Sequence, residues 1–204
     1  DIKVAGNASV NASGSLNLQG TALNAGQDVK LSGAKGMNLT GHVTTNKTES
    51  EVDVRNESGK LKTGKASNVS VTQTFTATEI KAGGDLGLNA TDGTISAMGS
   101  KIAVDGNAVV SSNKVNFGTT KTNNSSTVDD KFKYWGGLAG GAEDGQTRTR
   151  ENLQATSLTA KGDLLIGAKE GVNISGSTVK GNKSASVNAG NGTLNITAAK
   201  TSNS

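Results

Sequence analysis

The chain has 204 residues, including 28 Gly but no Pro and no Cys, and it carries a formal net charge of +4. The lack of Cys excludes a disulfide framework and thiol chemistry, and no apolar run approaches the ~20 residues that a membrane-spanning helix needs. Lysines alternate with Asp and Glu along the chain, which favours a solvated surface over a nucleic-acid-binding stripe, so we expect no nucleic-acid partner.

Residues 7–43 predict short β-strands separated by sharp bends. Apolar and polar residues alternate as they do along strands, and Gly with Asn or Asp marks the bends, because these residues tolerate positive φ. The pattern returns over 85–118 and 163–199, so the three segments predict pairs of coils of about 20 residues each. The corner pairs are Gly6-Asn7, Gly84-Asp85, Gly106-Asn107, Gly162-Asp163 and Gly181-Asn182, with Gly26-Gln27-Asp28 as a variant.

A longer period contains these coils. Asp85 follows Asn7 by 78 residues, and Asp163 follows Asp85 by the same interval. Three apolar-Asn-apolar triplets centred on Asn38, Asn116 and Asn195 recur at similar intervals. We therefore predict a 78-residue supermodule, present in two full copies and part of a third. Because the pattern is already running at the first residue and is still running at the last, we expect a fragment of a longer protein.

Two insertions, residues 44–78 and 119–158, separate the coil pairs and predict long β-hairpins. In the first, residues 68–80 alternate as one arm, and residues 50–54 are a candidate partner arm. We expect the arms to lie along the flank of the coils and the tips to project. The insertions could instead add coils to the stack, and the sequence leaves both arrangements open.

Together these elements predict an all-β fold, a right-handed parallel β-helix with inserted β-hairpins, that runs through residues 1–204 as a single segment. One coil cannot bury its apolar face alone, but stacked coils can, because each strand pairs with its equivalent one layer away, ~4.8 Å along the axis. The right hand follows from the usual connection between parallel strands. A flat antiparallel sandwich would not predict a constant coil length nested in a longer period.

The best candidate for a contact site is the tip of the second insertion, the Gly-rich stretch FKYWGGLAGG. It contains Phe132, Tyr134, Trp135 and Leu138. A Tyr-Trp pair in such a loop suits contact with a partner or with a membrane interface. The alternative is that these rings pack back onto the hairpin or the flank of the coils.

No residue pattern predicts catalysis, a cofactor or a metal site. The stretch GKLKTGKAS (59–67) imitates a phosphate-binding loop, but Ala66 stands where Ser or Thr must bind magnesium, and no helix is predicted there. His42, the single histidine, lies at a junction between a coil and an insertion. The carboxylates of Asp85 and Asp163 lie at repeat corners, and aromatic platforms for sugars are scarce. We therefore expect no enzymatic activity, and a carbohydrate-active β-helix enzyme is a further alternative.

Turns such as GSKIAVDG (99–106) and GSTVKGN (176–182) resemble the haemagglutinin repeats of filamentous-haemagglutinin-type exoproteins. These are the two-partner-secreted adhesins and the contact-dependent growth inhibition proteins of Gram-negative bacteria. The resemblance covers most of the chain and implies a right-handed parallel β-helix. It also implies export through an outer-membrane two-partner secretion transporter and display at the cell surface as a filament associated with the outer membrane.

The resemblance implies two functions. The first is a structural stalk or adhesive segment of a large secreted surface filament, whose partner is a receptor, glycan or membrane of a host or neighbouring cell. The second is the toxin-delivery region of a contact-dependent growth inhibition protein, acting at the outer membrane of the target cell. In neither case does the sequence identify the receptor.

Overall fold

A computed structural model describes residues 1–55, 62–134 and 141–200, and within these ranges every regular element is a β-strand. The chain forms two compact units. Segments Asp1–His42, Phe75–Lys121 and Leu153–Lys200 make up the first, and Val43–Thr74 and Thr122–Asn152 belong to the second. The predicted all-β class is confirmed.

The first unit is a stack of six coils, and each coil has three strand segments that lie on three faces. On the first face, parallel strands pair in the order β1 (Ile2–Val4), β4 (Ala22–Ala25), β9 (Glu79–Ala82), β11 (Lys101–Val104), β14 (Ser157–Ala160) and β16 (Thr178–Gly181). We number the coils 1 to 6 in this order. Each strand thus pairs with the equivalent strand of the next coil, as a parallel β-helix requires.

The second and third faces repeat this order. The second face consists of β2 (Ala8–Ala12), β5 (Val29–Gly33), the first parts of β10 (Leu86–Met98), β12 (Ala108–Tyr134) and β15 (Asp163–Ser175), and β17 (Ser184–Asn188). The third face consists of β3 (Ser15–Gln19), β6 (Gly36–Thr40), the following parts of β10, β12 and β15, and β18 (Thr193–Thr197). All of these neighbours are parallel and in register, so the predicted parallel β-helix is confirmed.

The core of this unit lies inside the coils and consists of aliphatic rows. In β10, Leu86, Leu88 and Ala90 are buried, whereas Gly87 and Asn89 point outward, so the alternation of the sequence sorts inside from outside. Each fully buried aliphatic side chain contributes roughly 1.5–3 kcal/mol to stability. Two of the rows are Leu23, Ile80, Ile102 and Leu158 on the first face, and Leu31, Leu88, Val110 and Ile166 on the second.

In one buried row, a large side chain in one coil lies beside a small side chain in the next. Phe117, the largest fully buried side chain, pairs with Ala97 of coil 3 and Ile174 of coil 5. A small residue directly beside the ring makes room for it at the close packing that protein interiors require. The small Ala97 in the neighbouring coil therefore offsets the bulk of this ring.

The second unit is an antiparallel sheet, ordered β7 (His42–Arg55), β8 (Lys62–Thr76), β12 and β13 (Gly141–Ala155). Strands β8 and β12 are antiparallel, with Ser125 opposite Val71 and Lys131 opposite Lys65. The two predicted hairpins therefore join edge to edge, which the sequence analysis did not anticipate. None of the buried hydrophobic residues in the described ranges belongs to this unit, so it depends mainly on hydrogen bonds and side-chain contacts between its strands.

The coil stack resumes slightly earlier than the predicted ends of the insertions. Thr78 and Thr156 are fully buried in the first unit, although the sequence analysis assigned both to insertions. Their hydroxyl groups bond to carbonyl groups of the stack, a role that alternation of apolar residues does not reveal. How the two units are arranged relative to each other stays a prediction.

Candidate functional site

One edge of the coil stack carries a continuous ladder of side-chain hydrogen bonds. Along this edge, where the first face turns into the second, Oδ1 of each Asn or Asp accepts a hydrogen bond from the equivalent residue of the next coil. The donor-to-acceptor distances are 3.0 Å from Asp28 N to Asn7, 2.8 Å from Asp85 N to Asp28, 2.7 Å from Asn107 N to Asp85, 2.9 Å from Asp163 N to Asn107, and 2.7 Å from Ser184 Oγ to Asp163. We call these six residues the Asx ladder.

The glycines before three of the ladder residues, namely Asp85, Asn107 and Asp163, are required by a close approach. A Cβ on Gly106 would overlap Asp85 Oδ1 and would lie 2.8 Å from the Gly84 carbonyl oxygen, and a Cβ on Gly84 or Gly162 would meet the ladder oxygen of the preceding coil in the same way. None of the three has a positive φ. The explanation from positive φ is therefore wrong for these corners. The Asx oxygen occupies the space that a side chain would need.

The structure brings five of the six predicted corners into one row and shifts the sixth. Asn182 N bonds to Ala160 O, and Ser184 pairs with Asp163. In coil 6, Ser184 thus takes the place that the sequence analysis gave to Asn182, and Gly181 belongs to the end of β16. The ladder position in coil 6 is thus two residues later than predicted. The Ser184 hydroxyl group is able to donate to Asp163 Oδ1 in place of a backbone N–H.

A second ladder, made of hydroxyl groups, closes the corner where the third face of one coil leads to the first face of the next. Here Gly20, Gly99 and Gly176 do have positive φ, between 55° and 63°, a conformation that favours Gly. The buried hydroxyl groups after this corner donate to backbone carbonyl groups: Thr78 to Thr40 at 2.6 Å, Ser100 to Leu39 at 2.6 Å and Thr156 to Ala97 at 2.9 Å. The sequence analysis did not find this role of the hydroxyl groups.

A third row runs along the outside of the third face. The aligned residues are Asn17, Asn38, Ser96, Asn116, Asn173 and Asn195. Where two Asn are neighbours, the side-chain amide of one donates to the next, at 2.7 Å from Asn38 to Asn17 and 2.8 Å from Asn173 to Asn116. The predicted apolar-Asn-apolar triplets thus lie in register.

Most of the predicted contact tip lies outside the residues that the structure describes. Trp135 and Leu138 lie outside the described residues. The backbone of Phe132 and Tyr134 belongs to β12, opposite Gly64 and Lys62 of β8. The contact tip therefore stays a prediction.

A trough runs along the first face of the coil stack, beside Phe75. Its first part, about 400 Å³, has a lining that includes Thr21, Phe75, Glu79, Lys101 and Gln154. Its second part, about 310 Å³, has a lining that includes Glu79, Lys81, Lys101, Ala103, Ser157 and Thr159. Because Glu79 and Lys101 line both parts, we treat them as one site, the Phe75 trough, and sequence reasoning did not find it.

Glycine makes the place for the ring of Phe75. The ring packs against Gly41 and Gly99, where an added Cβ would overlap it, at 2.7 Å from Cζ in the case of Gly99. Both glycines lie at the corner where the third face ends. The half-buried ring is thereby held at the rim of the coils rather than in the core.

Two lysines of the second unit have raised pKa values. The hydrogen bond to Glu51, together with the charge of that carboxylate, raises the pKa of Lys65. The hydrogen bond to Glu143, 2.8 Å away, is the main reason that the pKa of Lys131 is raised, and the charge of Asp129 adds to it. Both lysines are exposed, so these pairs contribute little to stability.

Other kinds of site have no support in the part of the chain that the structure describes. Within residues 1–55, 62–134 and 141–200, no three His, Asp or Glu side chains are grouped so that they could hold a metal ion. Across the same ranges, no helix has the length and apolar character needed to cross a membrane.

The fold, the two ladders and the Asn row define a class: a parallel β-helix built from repeated coils. The family model described as hemagglutinin repeat matches residues 1–72 and 60–204, so the chain belongs to the hemagglutinin repeat family. The predicted resemblance is confirmed, and membership indicates a secreted or cell-surface exoprotein.

Two curated relatives have the name Hemolysin. The chain is 36% identical over 184 residues to one from Proteus mirabilis. This alignment covers 90% of the present chain and 12% of the Proteus protein. It is 30% identical over 182 residues to one from Serratia marcescens. That alignment covers 89% of the present chain and 11% of the Serratia protein. The chain thus spans only about a ninth to an eighth of the length of these relatives. No solved structure matches the chain.

Proposed function

We propose that this chain is a structural stalk and adhesive segment of a large secreted surface filament of a Gram-negative bacterium, and that it is not an enzyme. The observation that carries the proposal is the Asx ladder, which passes through all six coils without a gap. A stalk must resist tension along its axis. In a parallel β-helix that tension acts on the hydrogen bonds between coils, and the ladder adds a bond at every step.

The partners follow from this role. We propose that the parent protein is exported through an outer-membrane two-partner secretion transporter, as the resemblance implies. Displayed as an outer-membrane-associated filament, the stalk holds its distal parts away from the cell, toward a receptor, glycan or membrane of a host or neighbouring cell. The outward rows of the coils are surfaces available for such contacts, and the aromatic tip expected from the sequence is a further candidate.

Single-molecule pulling tests the axial role. We expect the chain, held at its two ends, to unfold in cooperative force peaks. Asp85→Ala removes a ladder oxygen that accepts a hydrogen bond from Asn107 N at 2.7 Å, so we expect it to lower the peak force. Asp92→Ala, an exposed change in β10, the strand that follows Asp85, is the matched control and should leave the force unchanged. Smooth extension without force peaks, or an equal effect of the two variants, would contradict the proposal.

A second candidate function is action at a membrane, either as part of a hemolysin or as a toxin-delivery region. The observation that favours it is that both curated relatives are called Hemolysin. Vesicle flotation tests it, with Trp135→Ala as the variant, because the predicted aromatic tip is the segment expected to enter the interface. Flotation of the chain that Trp135→Ala weakens would support this function. Equal behaviour of variant and unmodified chain would count against it.

A further inference from the structure

We propose that the Phe75 trough binds an acidic oligosaccharide chain. This inference does not depend on the proposed resistance to tension along the axis. The chain could bind a ligand on this face even if the coils bore no tension. It rests on three observations: an aromatic ring placed at the rim, a trough that extends across several coils, and an excess of ammonium groups on the surrounding face.

The ring of Phe75 is the first observation. Among the side chains that the structure describes, the aromatic rings are Phe75 and Phe117, and Phe117 is fully buried. Phe75 is half-buried and lines the trough. Gly41 and Gly99 give its ring a fixed seat. A fixed aromatic surface with hydrogen-bonding groups around it suits a sugar ring, which has an apolar face and a polar edge.

The shape of the trough is the second observation. It runs from Thr21, at the start of coil 2, to Ser157 and Thr159 of coil 5. Ala103 lies between Lys81 and Thr159 in the outward row, and its small side chain leaves the depression between them. Together the two parts, about 400 and 310 Å³, reach the size of ordinary ligand sites. A trough that crosses several layers of strands favours an elongated ligand over a compact one.

Charge is the third observation. The outward rows of the first face and the lining of the trough together have four lysines and two carboxylates, namely Lys3, Lys81, Lys101, Lys180, Glu79 and Asp1. Lys81, Lys101, Glu79 and Asp1 line the trough, whereas Lys3 and Lys180 extend the positive charge beyond it. Glu79 lies 3.7 Å from Lys101 and 4.0 Å from Lys81, longer than a direct hydrogen bond. The two ammonium groups therefore retain donors for an acidic group of a ligand, and Glu79 and Gln154 are able to bond to hydroxyl groups.

A nucleic acid suits this face less well. Single strands are usually bound by several aromatic rings, on which successive bases stack, along a basic groove. The described side chains provide one ring here, and the Glu79 carboxylate lies at the centre of the trough. An oligosaccharide needs only one stacking platform and tolerates a carboxylate, because its hydroxyl groups donate hydrogen bonds.

The test is an isothermal titration of the whole chain with an α2,8-linked sialic acid tetramer at low salt. We expect binding that Lys81→Gln with Lys101→Gln weakens by at least about tenfold, since two charge-assisted contacts are lost. The matched control is Lys30→Gln with Lys35→Gln, which makes the same change in net charge at two exposed positions off this face. It should leave the affinity within about twofold of the unmodified chain.

Phe75→Leu is the second variant. Leu keeps an apolar contact with Gly41 and Gly99 but removes the aromatic surface, so we expect binding to weaken by about threefold while the amide spectrum of the coils is retained. Three results would overturn the proposal: no binding of the tetramer, equal binding of the neutral tetramer maltotetraose, or equal weakening by both lysine pairs. Tighter binding of a short single-stranded DNA would also overturn it, in favour of a nucleic-acid ligand.

Discussion

At the scale of single residues, one oxygen atom per coil sets the position of the next coil along the Asx ladder. Oδ1 of Asp85 accepts a hydrogen bond from Asn107 N and lies where a side chain on Gly106 would have to go. The bond and the missing side chain are therefore two parts of one device. This is why Gly precedes Asn or Asp so often in the sequence.

Gly106→Ala should destabilise the stack by about 1–3 kcal/mol, because the new methyl group must push against Asp85 and the Gly84 carbonyl. Gly87→Ala is the control. It points outward, its Cβ would meet only Lys30 Cγ at 3.9 Å, and it should be neutral or stabilising by up to ~1 kcal/mol. Urea unfolding followed by circular dichroism measures both. Equal destabilisation by the two variants would show that space at the corner is not what selects Gly.

The titration of Lys65 tests the ion pairs of the second unit. We expect its pKa to lie above the usual ~10.4 and to return toward that value in Glu51→Gln, because Glu51 supplies the largest cause of the shift. A pKa raised on folding means that the stabilisation is fully present below the ordinary pKa and is lost as pH rises through the raised one. Side-chain NMR measures the titration, with Lys131 as an internal control. An unchanged Lys65 titration in Glu51→Gln would refute this assignment.

At the scale of elements, the coil stack and the antiparallel sheet are stabilised in different ways. Strands of the stack have one buried side, and a shift by one residue would expose a whole apolar row, so their register is strongly specified. Strands of the second unit bury no apolar row and carry many polar side chains, such as those of Thr45 and Gln73, which bond to each other at 3.3 Å. Their register depends on such pairs.

Removing residues 42–77 should leave six coils intact. The deletion joins Gly41 to Thr78, and Gly41 N already bonds to Met98 O as the other corner glycines bond to their neighbours. Thr78 Oγ1 lies 2.6 Å from Thr40 O, so little chain is needed to close the coil. The new corner would be Gly-Thr, as in the uninterrupted corner Gly20-Thr21.

Amide hydrogen exchange of this deletion variant provides the measurement. We expect protection to persist at Leu31, Leu88 and Val110, which are fully buried in the stack. A deletion of equal length over residues 36–71 removes β6 and is the control, and it should abolish protection. Loss of protection in both variants would show that the coils require the first hairpin.

These elements also show how far sequence reasoning reaches. Alternation and the Gly-Asx repeats predicted the coils, because a buried face leaves a periodic trace in the sequence. The edge-to-edge pairing of β8 with β12 left no such trace, since two polar strands match many partners equally well. The Phe75 trough was equally hidden, because it depends on the missing side chains of Gly41 and Gly99 and on the small side chain of Ala103.

At the scale of the whole molecule, stability accumulates along the stack. Coils in the middle are covered on both sides, whereas residues of the first and last coils, such as Ile2 and Ile196, are 53% and 67% exposed. In a repeat protein each unit contacts only its neighbours, so stability is approximately a sum over units and interfaces. This additivity requires that all six coils lie in register along one axis.

Distances between spin labels along one outward row test that claim most directly. The row includes Lys3, Ala103, Thr159 and Lys180, on coils 1, 4, 5 and 6, and the absence of Cys allows each label to be placed alone. With one label at Lys3→Cys, we expect distances of about 14 Å to Ala103→Cys, about 19 Å to Thr159→Cys and about 24 Å to Lys180→Cys, one layer of ~4.8 Å per coil. The distance from Lys3→Cys should thus increase by the same amount from coil 4 to coil 5 as from coil 5 to coil 6. This is expected although 56 residues separate Ala103 from Thr159 and 21 separate Thr159 from Lys180. Steps that grow with separation in the sequence, or broad distance distributions, would contradict the in-register stack.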